Sequence, residues 1–345
     1  MTRRTRRSLE IQQFMLYLIP THPYNAVVVA AEHFGISRQA ASRHMRILVE
    51  EGKVLAEGNT KTRRYSLQRT VIKRLTFPLE DLREDKVWRE DFKSFFDDAP
   101  PNIYELWEYG FTEMLNNAID HSDGSAVDIT LLGTPISSII VIDDDGIGIF
   151  RKIKDACHLD EESLAVLELA KGKLTTDPEN HTGEGIFFTS RCFDSFNISS
   201  GSIYFNHDER FNDEHWIFEN ENTEQGTTVF MECHFGTDRI LEEVFNEYTS
   251  ADDDVAFTKT VLPVSLLRHG TENLVSRSQA KRLLARVEKF RTVVLDFKDV
   301  ETIGQAFADE VFRVFVNRHP DTEIIPIRAG VKIQRMIRRT RPSGQ

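Results

Sequence analysis

Three stretches of the chain differ in the way that apolar and polar residues alternate. Apolar residues recur at helical spacing in three successive segments between residues 8 and 51, and two short strand-like runs follow around residues 58–64. Residues 102–121 again show helical spacing, and short apolar runs typical of strands continue to residue 233. From residue 260 onward, strand-like runs alternate with helical segments, which is typical of a small open α/β domain. The pattern therefore predicts an α+β chain built from several domains.

The length of 345 residues agrees with several cores, because single hydrophobic cores stop growing at roughly 250–300 residues. Between the first two stretches, Trp88, Phe92, Phe95 and Phe96 recur at helical spacing, and Pro100-Pro101 marks a boundary. We expect a docked helix there. The predicted units are residues 1–75, a helical connector 76–100, a central unit 101–250 and a third unit 255–345.

Charge is distributed unevenly along the chain, whose net charge is −12. Residues 1–75 hold 14 Lys/Arg against 5 Asp/Glu, a balance of +9, whereas residues 76–324 hold 23 against 50, a balance of −27. A basic end on an acidic body is expected of a protein whose end meets a polyanion. Residues 325–345 hold six Lys/Arg and no acid, and for the run from Arg335 to Arg341 the sequence favours a solvated tail.

Hydropathy and cysteine spacing exclude several classes of protein. No apolar run reaches the length of a membrane span, and the basic first residues lack the apolar core of a signal peptide. Cys157, Cys192 and Cys233 do not have the spacing of a zinc site or a disulfide framework. The sequence thus predicts a cytoplasmic protein without membrane association.

Candidate chemistry lies in the central unit. Glu113 and Asn117 are four residues apart, so a helix places both side chains on one face. An amide oxygen can ligate Mg²⁺, and a carboxylate beside it can orient a water. Asp144 follows an apolar run and should lie where a buried strand ends. Gly146 and Gly148 then let the backbone turn closely around a ligand.

A second glycine segment follows a polar stretch. Gly183 and Gly185 precede an apolar helical run, so the N–H groups of that helix could hold phosphate. The threonine-rich stretch from Lys171 to Thr182 is typical of a lid over phosphates. Lys171 or Lys173 could neutralise a phosphate, or both could be solvated.

In order and spacing, these segments resemble the GHKL ATPase superfamily of gyrase, the heat-shock chaperone, histidine kinases and anti-sigma-factor kinases. Glu113 to His121 matches the E-x-x-x-N-A-x-x-H box, and Asp144 to Gly148 matches the D-x-G-x-G box. Gly183-x-Gly185 matches the phosphate-loop glycines, and Gly226-Thr227-Thr228 matches the last G-T strand. The resemblance covers about 115 residues. It implies a Bergerat-type α/β sandwich that binds ATP and Mg²⁺.

By this resemblance Asn117 would hold Mg²⁺, Asp144 would accept the adenine amino group, and Glu113 would be the general base if ATP is hydrolysed. The other implied ATP-binding residues are His121, Gly146, Gly148, Lys171, Lys173, Gly183, Gly185 and Thr228. Kinase relatives often continue the phosphate loop with another glycine, whereas this chain has Phe187. That departure concerns how the lid docks.

The N-terminal unit resembles the winged helix-turn-helix of bacterial transcription regulators, on the phrase Gly35-Ile-Ser-Arg-Gln-Ala-Ala-Ser-Arg43 and the basic hairpin that follows. The resemblance implies binding to double-stranded DNA, with Arg38, Gln39, Ser42 and Arg43 at base edges and Arg46 near phosphate. Lys61, Arg63 and Arg64 would meet phosphates or the minor groove. Winged helices also dock proteins, and the basic surplus favours DNA.

The third unit resembles the STAS domain of anti-sigma-factor antagonists, and more closely the STAS-like domain fused behind such ATPases. The carrying residues are 293–308. Antagonists have Asp-Ser-Ser-Gly after the strand, and the first serine accepts phosphate. This chain has Gly304-Gln305-Ala306-Phe307 there, and Thr302 lies on the other side of Ile303. A protein partner of this unit and a homodimer are both compatible with the sequence.

Three functions remain open at this stage. ATP binding with slow hydrolysis could gate DNA binding, as in a transcription regulator. Glu113 could instead activate a hydroxyl on a partner protein, which would make the chain a serine/threonine kinase of the anti-sigma type. The chain could also be a scaffold that binds nucleotide without turnover. The missing serine lowers the second hypothesis, and the presence of Glu113 lowers the third.

Overall fold

The computed structural model describes residues 6–59, 62–174, 183–208, 214–250, 253–267 and 273–340, with the backbone alone for residues 214–224, 250 and 253–256. These residues form a mixed α+β chain with separate sheets. In the described part of the chain, no helix is both long enough and apolar enough to cross a bilayer.

The N-terminal unit has three helices and a hairpin, which lie where the sequence pattern predicts them. Ser37 caps the third helix, because its Oγ accepts a hydrogen bond from the Ala40 amide at 3.2 Å. The core is built from Met15, Met45 and Leu48, which are almost fully buried. The elements are α1 (Arg6–Leu18), α2 (Ala26–Phe34), α3 (Arg38–Glu50), β1 (Val54–Glu57) and β2 (Arg64–Leu67).

The central unit contains a five-stranded antiparallel sheet in the order β3-β4-β5-β7-β6. Two long strands, residues 195–208 and 214–234, stand where the sequence shows a series of short apolar runs. The strands are β3 (Thr70–Pro78), β4 (Ala126–Gly133), β5 (Ser137–Asp144), β6 (Ser195–Asp208) and β7 (Glu214–His234).

The first strand of this sheet corrects a predicted boundary. We expected the central unit to begin at residue 101, after a connector, but β3 pairs with β4 from Thr70 to Pro78. As an edge strand it packs only Leu75 and Phe77 against the core, and its other positions are largely exposed. Its sequence of mixed polarity therefore resembled that of a linker. The sheet begins at Thr70, before the predicted boundary at residue 75.

The remaining connector is docked but is not one regular helix. It consists of α4 (Glu84–Val87), a π-helical turn (Trp88–Phe92) and a 3₁₀ turn (Lys93–Phe95). Trp88 and Phe92 are buried against Phe111 of the next helix, with ring centroids 5.2 and 5.0 Å apart. The predicted apolar stripe is thus packed, except that Phe95 is 45% exposed.

Three helices pack against the sheet: α5 (Pro101–His121), α6 (Ile149–Cys157) and α8 (Gly185–Cys192). A fourth helix, α7 (Ser163–Lys171), packs against α6 and α8. On α5, Trp107 is fully buried and donates its indole N–H to Ser138 Oγ on β5 at 2.9 Å. Residues 164–171 of α7 are buried without interruption, because elements pack on both of its sides.

The C-terminal unit has a three-stranded parallel sheet in the order β10-β11-β12, as the alternating pattern predicts. Ser276 caps its first helix, because Ser276 and Gln279 form a reciprocal capping box. Its elements are β10 (Lys259–Pro263), α10 (Arg277–Leu284), β11 (Thr292–Asp296), α11 (Gln305–Asp309), α12 (Val316–Arg318), β12 (Glu323–Ile327) and α13 (Val331–Thr340). The connection to it contains α9 (Leu241–Glu247), β8 (Thr249–Ser250) and β9 (Asp253–Phe257).

Candidate functional site

A cavity of about 310 Å³ lies between helices α5, α6, α7 and α8 and the strands β5 and β7. This volume is at the small end of the range of ligand pockets. The predicted residues that line it are Glu113, Asn117, His121, Asp144, Gly183 and Gly185. Segments that are up to 72 residues apart in the sequence therefore meet at this cavity, as the motifs predict.

Asp144 is the acid at the inner end of the cavity. Its side chain lies at the last residue of β5, is 8% exposed, and accepts hydrogen bonds from the amides of Gly146 at 3.0 Å and Thr227 at 3.2 Å. Burial raises the pKa of Asp144 to about 6, although the two backbone hydrogen bonds lower it. A ligand that donates a hydrogen bond to this carboxylate would stabilise its ionised form.

Asn117 carries the clearest sign of a missing partner. Its Nδ2 atom is buried and finds no hydrogen-bond partner among the described residues. Buried polar groups in folded proteins are almost always paired, and an unpaired one costs roughly 1–3 kcal/mol. The amide faces the cavity with Glu113 one helical turn earlier on α5. We infer that a bound ligand completes this amide.

The same side chains form a suitable donor set for Mg²⁺. An amide and a nearby carboxylate supply oxygen ligands, and Mg²⁺ usually takes only one or two protein ligands together with substrate phosphates and waters. No group of three or more His, Cys, Asp or Glu side chains suited to a metal occurs within the described ranges. The residues therefore fit a metal that arrives with a phosphate ligand rather than one held by a protein cage.

Gly185, one of the two glycines predicted to bind phosphate, lies beside Glu113. A Cβ atom built on Gly185 would be 2.1 Å from Glu113 Oε2, so a side chain at this position would displace the carboxylate. Gly183 accepts a hydrogen bond from the amide of Leu174 at 3.1 Å, so the two ends of segment 175–182 meet at the cavity. That segment, most of the predicted lid, lies outside the described residues.

The residues of the two glycine turns next to Asp144 do not line the cavity but shape it. Gly148 has φ of +91°, which favours glycine, and a Cβ atom there would be 2.5 Å from Ser200 Oγ. Gly146 supplies the amide that holds Asp144. Gly146 and Gly148 thus shape the pocket through their backbone and do not line its surface.

Thr228 was predicted to line the pocket, and that prediction is wrong by one residue. Successive side chains of a strand point to opposite faces of the sheet. Thr227 lines the cavity, where its Oγ1 accepts a hydrogen bond from the Ile149 amide at 3.0 Å. Thr228 lies on the other face and donates to Asp143.

Neither of the two predicted phosphate lysines lines the cavity. Lys171 is 2% exposed and pairs with Glu168 at 2.6 Å, so the prediction that it contacts phosphate is wrong. Lys173 lies over the rings of Phe257 and Phe290, at 5.4 and 5.0 Å from their centroids. The pattern of a lysine next to a polar loop did not reveal that the C-terminal unit covers this part of the chain.

Lys152 is a basic residue that lines the cavity, and it was not predicted from the sequence. Lys152 lies on α6, and its Nζ donates to the His121 carbonyl at 2.7 Å and to Asp123 at 2.9 Å. No other Lys or Arg lines the cavity within the described residues. Its position in the sequence could have indicated this role, because Lys152 comes one turn after Gly148, at the start of the helix that borders the pocket.

The predicted DNA-contacting residues that the structure describes are exposed on the N-terminal unit. Arg38, Gln39, Ser42, Arg43 and Arg46 are all exposed on α3, whereas the opposite side of that helix is buried. Arg63 and Arg64 are exposed at the hairpin, and Lys61 lies outside the described residues.

Comparison with known families concerns the C-terminal unit. Residues 279–333 match the family model of a STAS-like domain of unknown function (DUF4325). The C-terminal unit therefore contains a STAS-like domain. No curated protein matches the chain. The STAS-like domain includes β11 and β12 and most of α10, and it ends in the first turns of α13.

Proposed function

We propose that the chain is an ATP-binding regulatory protein in which Mg²⁺-dependent ATP binding controls the binding of double-stranded DNA. One observation carries the nucleotide part: the side-chain nitrogen of Asn117, buried without a hydrogen-bond partner among the described residues, lies at the same cavity as the strand-end carboxylate of Asp144. This nitrogen would donate a hydrogen bond to an oxygen atom of the ligand, which leaves the amide oxygen of Asn117 for Mg²⁺. By the resemblance to GHKL ATPases, Asn117 would hold the metal and Asp144 would bind adenine.

The cavity has the properties needed to hold a purine nucleotide. Met114, Ile142, Ile153 and Val229 supply apolar contacts for the faces of a base. Asp144 would accept the amino group of adenine, which guanine lacks at that position. The phosphates would extend toward Gly183 and Gly185, where amides at the start of α8 can donate hydrogen bonds.

The chemistry of the site favours hydrolysis over transfer to the chain's own STAS-like domain. Asn117 would hold Mg²⁺, which neutralises phosphate charge when bound. Glu113 would orient and deprotonate the attacking water. Transfer to a hydroxyl needs an acceptor, and the loop after β11 has Gly304-Gln305 where antagonists carry the phosphorylated serine. A Cβ atom on Gly304 would be 2.7 Å from Val275 Cα, so the backbone of residue 275 occupies that space.

The DNA part rests on charge and exposure. The exposed face of α3 carries Arg38, Arg43 and Arg46, and the unit has a balance of +9 on a chain of net charge −12. A helix that presents arginines beside Gln39 and Ser42 suits base edges flanked by phosphates.

Two strands connect these parts of the molecule. β5 runs from the buried turn residue Ile136, which packs in the core of the N-terminal unit, to Asp144 in the cavity. β7 contains Thr227 at the cavity and ends at His234, whose ring contacts Tyr17 of α1 at a centroid distance of 5.7 Å. Nucleotide binding that shifts these strands would move the N-terminal unit.

The test is to measure DNA affinity with a non-hydrolysable ATP analogue, with ADP and without nucleotide. We expect the three affinities to differ by the roughly 5–150-fold that is typical of coupled sites, and the same factor must appear in nucleotide affinity with and without DNA. Equal DNA affinity in all three states would contradict the coupling. Specificity is tested separately: Arg43→Ala should cost about 1–3 kcal/mol on the preferred sequence, whereas Arg63→Ala should weaken all sequences alike.

A further inference from the structure

The STAS-like domain is packed directly on the wall of the candidate nucleotide cavity. Helix α7 separates the two: Leu169 lines the cavity, and on its other side α7 packs against β10 and the 3₁₀ turn that follows it. The next residues of the chain, Gly172 to Leu174, lead from α7 into segment 175–182. The contacts of residues 172–174 therefore fix the position of the chain where it leaves α7.

A buried lysine attaches the end of α7 to the STAS-like domain. Lys171 Nζ donates to the carbonyls of Arg282 at 3.0 Å and Ala285 at 2.9 Å, which are at the C-terminal end of α10. A cation at this end of a helix is stabilised by the partial negative charge of the unpaired carbonyls. The Lys171 carbonyl in turn accepts a hydrogen bond from Thr260 Oγ1 on β10 at 2.8 Å.

Glu168, one turn before Lys171, completes this polar contact. It is almost fully buried, accepts a hydrogen bond from Lys171 at 2.6 Å, and accepts another from Arg286 at 3.0 Å. Arg286 also donates to Cys157 Sγ at the end of α6, at 2.9 Å. The family-matched segment thus contributes one guanidinium and two carbonyls to a charged cluster that belongs equally to the central unit.

Aromatic rings continue the contact to the cavity itself. Phe187 lines the cavity and packs on Phe257 with a centroid distance of 4.5 Å, and Phe257 packs on Phe290 of the STAS-like domain at 5.1 Å. The rings leave no space for a side chain at position 172, since a Cβ atom on Gly172 would be 2.6 Å from Phe257. One wall of the cavity is therefore continuous with the core of the C-terminal unit.

We propose that the STAS-like domain is an intramolecular regulator of the nucleotide site, which acts by docking on α7 and residues 172–174. This inference rests on the proposed ATP site. Because α7 and Phe187 form part of the cavity wall and also contact the C-terminal unit directly or through Phe257, bound nucleotide and docking stabilise each other. A partner protein or signal that loosens docking would release nucleotide, and no phosphorylated hydroxyl in this domain is needed.

Hydrogen exchange with and without an ATP analogue tests the coupling in the full chain. We expect nucleotide to slow exchange in residues 277–290 of the STAS-like domain as well as around the cavity. Thr260→Val, which removes one hydroxyl at little change in shape, and Arg286→Gln should reduce this protection. Both should weaken ATP binding by roughly 5-fold or more, the lower end of typical coupling.

Lys281→Gln is the matched control, because Lys281 is an exposed basic residue of α10, five positions before Arg286. It should leave ATP affinity and protection unchanged. Normal ATP binding by the wild type, together with unchanged protection of residues 277–290 and unchanged affinity in both variants, would overturn the regulatory role alone. A wild type that binds no nucleotide would overturn the proposed function, and this inference with it.

Discussion

Two polar clusters of the central unit, one around Lys171 and one around Asn117, differ in one respect. Around Lys171 the ammonium and Glu168 bond to each other and to neighbouring carbonyls and a guanidinium. Around Asn117 a buried amide nitrogen has no partner among the described residues, and nearby Asp144 is held by two amides only.

The difference separates a structural polar cluster from a ligand site. Burial disfavours the charged form of both Lys171 and Asp144, which lowers the pKa of the lysine and raises that of the acid to about 6. The lysine is compensated by Glu168 within the fold, whereas the compensation of Asn117 and Asp144 would come from outside. Residue type and position in the sequence made Lys171 a candidate for contacting phosphate, and its partners within the fold reverse that conclusion.

The largest effect is expected on stability at Lys171. Lys171→Met retains the length of the side chain and leaves Glu168 and two helix-end carbonyls buried with fewer partners. Breaking such a pair typically costs about 3–5 kcal/mol of unfolding free energy. Denaturant titration measures it, with Lys281→Met as the exposed control. A loss below about 1 kcal/mol would show that this cluster contributes no more than a surface ion pair.

A comparable effect is expected on turnover at Glu113. Glu113→Ala should retain ATP but release phosphate roughly 100-fold more slowly, the usual scale for a positioned general base. Single-turnover phosphate release measures the rate. If the wild type releases no phosphate and labels no protein, the cavity binds nucleotide without turnover. A variant as fast as the wild type would remove Glu113 from the chemistry.

A smaller effect is expected at Lys152, which lines the cavity and can reach a phosphate. Lys152→Met should weaken ATP binding by about 10-fold, or 1.4 kcal/mol, which is the scale of a single charge-assisted hydrogen bond. Adenosine should bind as before, because it carries no phosphate. Lys154→Met on the same helix is the control. Equal losses for ATP and adenosine would instead indicate that Lys152 only holds the end of α5.

The smallest effect, with the most specific signature, concerns the stability contribution of Asp144. Its folded pKa of about 6 lies above the reference value of 3.8. The neutral carboxyl therefore contributes stability that is complete below pH 3.8 and is lost as the pH rises through about 6. Asp144→Asn, neutral at all pH values, should stabilise the protein by on the order of 1 kcal/mol at pH 7.

Thermal melts at several pH values measure this difference. It should disappear toward pH 4, and Asp143→Asn on the opposite face of the sheet should not reproduce it. A variant less stable than the wild type at pH 7 would mean that the carboxylate is needed by the fold rather than by a ligand.

Local pattern predicted much of this arrangement. Helical spacing located α1, α2, α3 and α5, and the motif boxes correctly brought Glu113, Asn117, Asp144 and Gly185 to one cavity. What failed depended on tertiary contacts. The edge strand β3 exposes one face, so its sequence resembled a connector. Which of Thr227 and Thr228 points into the cavity depends on how β7 pairs with β5, and the local sequence does not determine that pairing. The burial of Lys171 depends on a domain more than 100 residues later in the sequence.

The most direct test of the nucleotide site is calorimetric titration of the full chain with ATP and with adenosine, each with and without Mg²⁺. We expect Mg²⁺ to strengthen ATP binding and to leave the affinity for adenosine unchanged. Asn117→Ala should remove the effect of the metal, and Asp144→Asn should remove the preference for adenine over guanine nucleotides. No binding of either ligand, or an Mg²⁺ effect that persists in Asn117→Ala, would contradict the proposed nucleotide site.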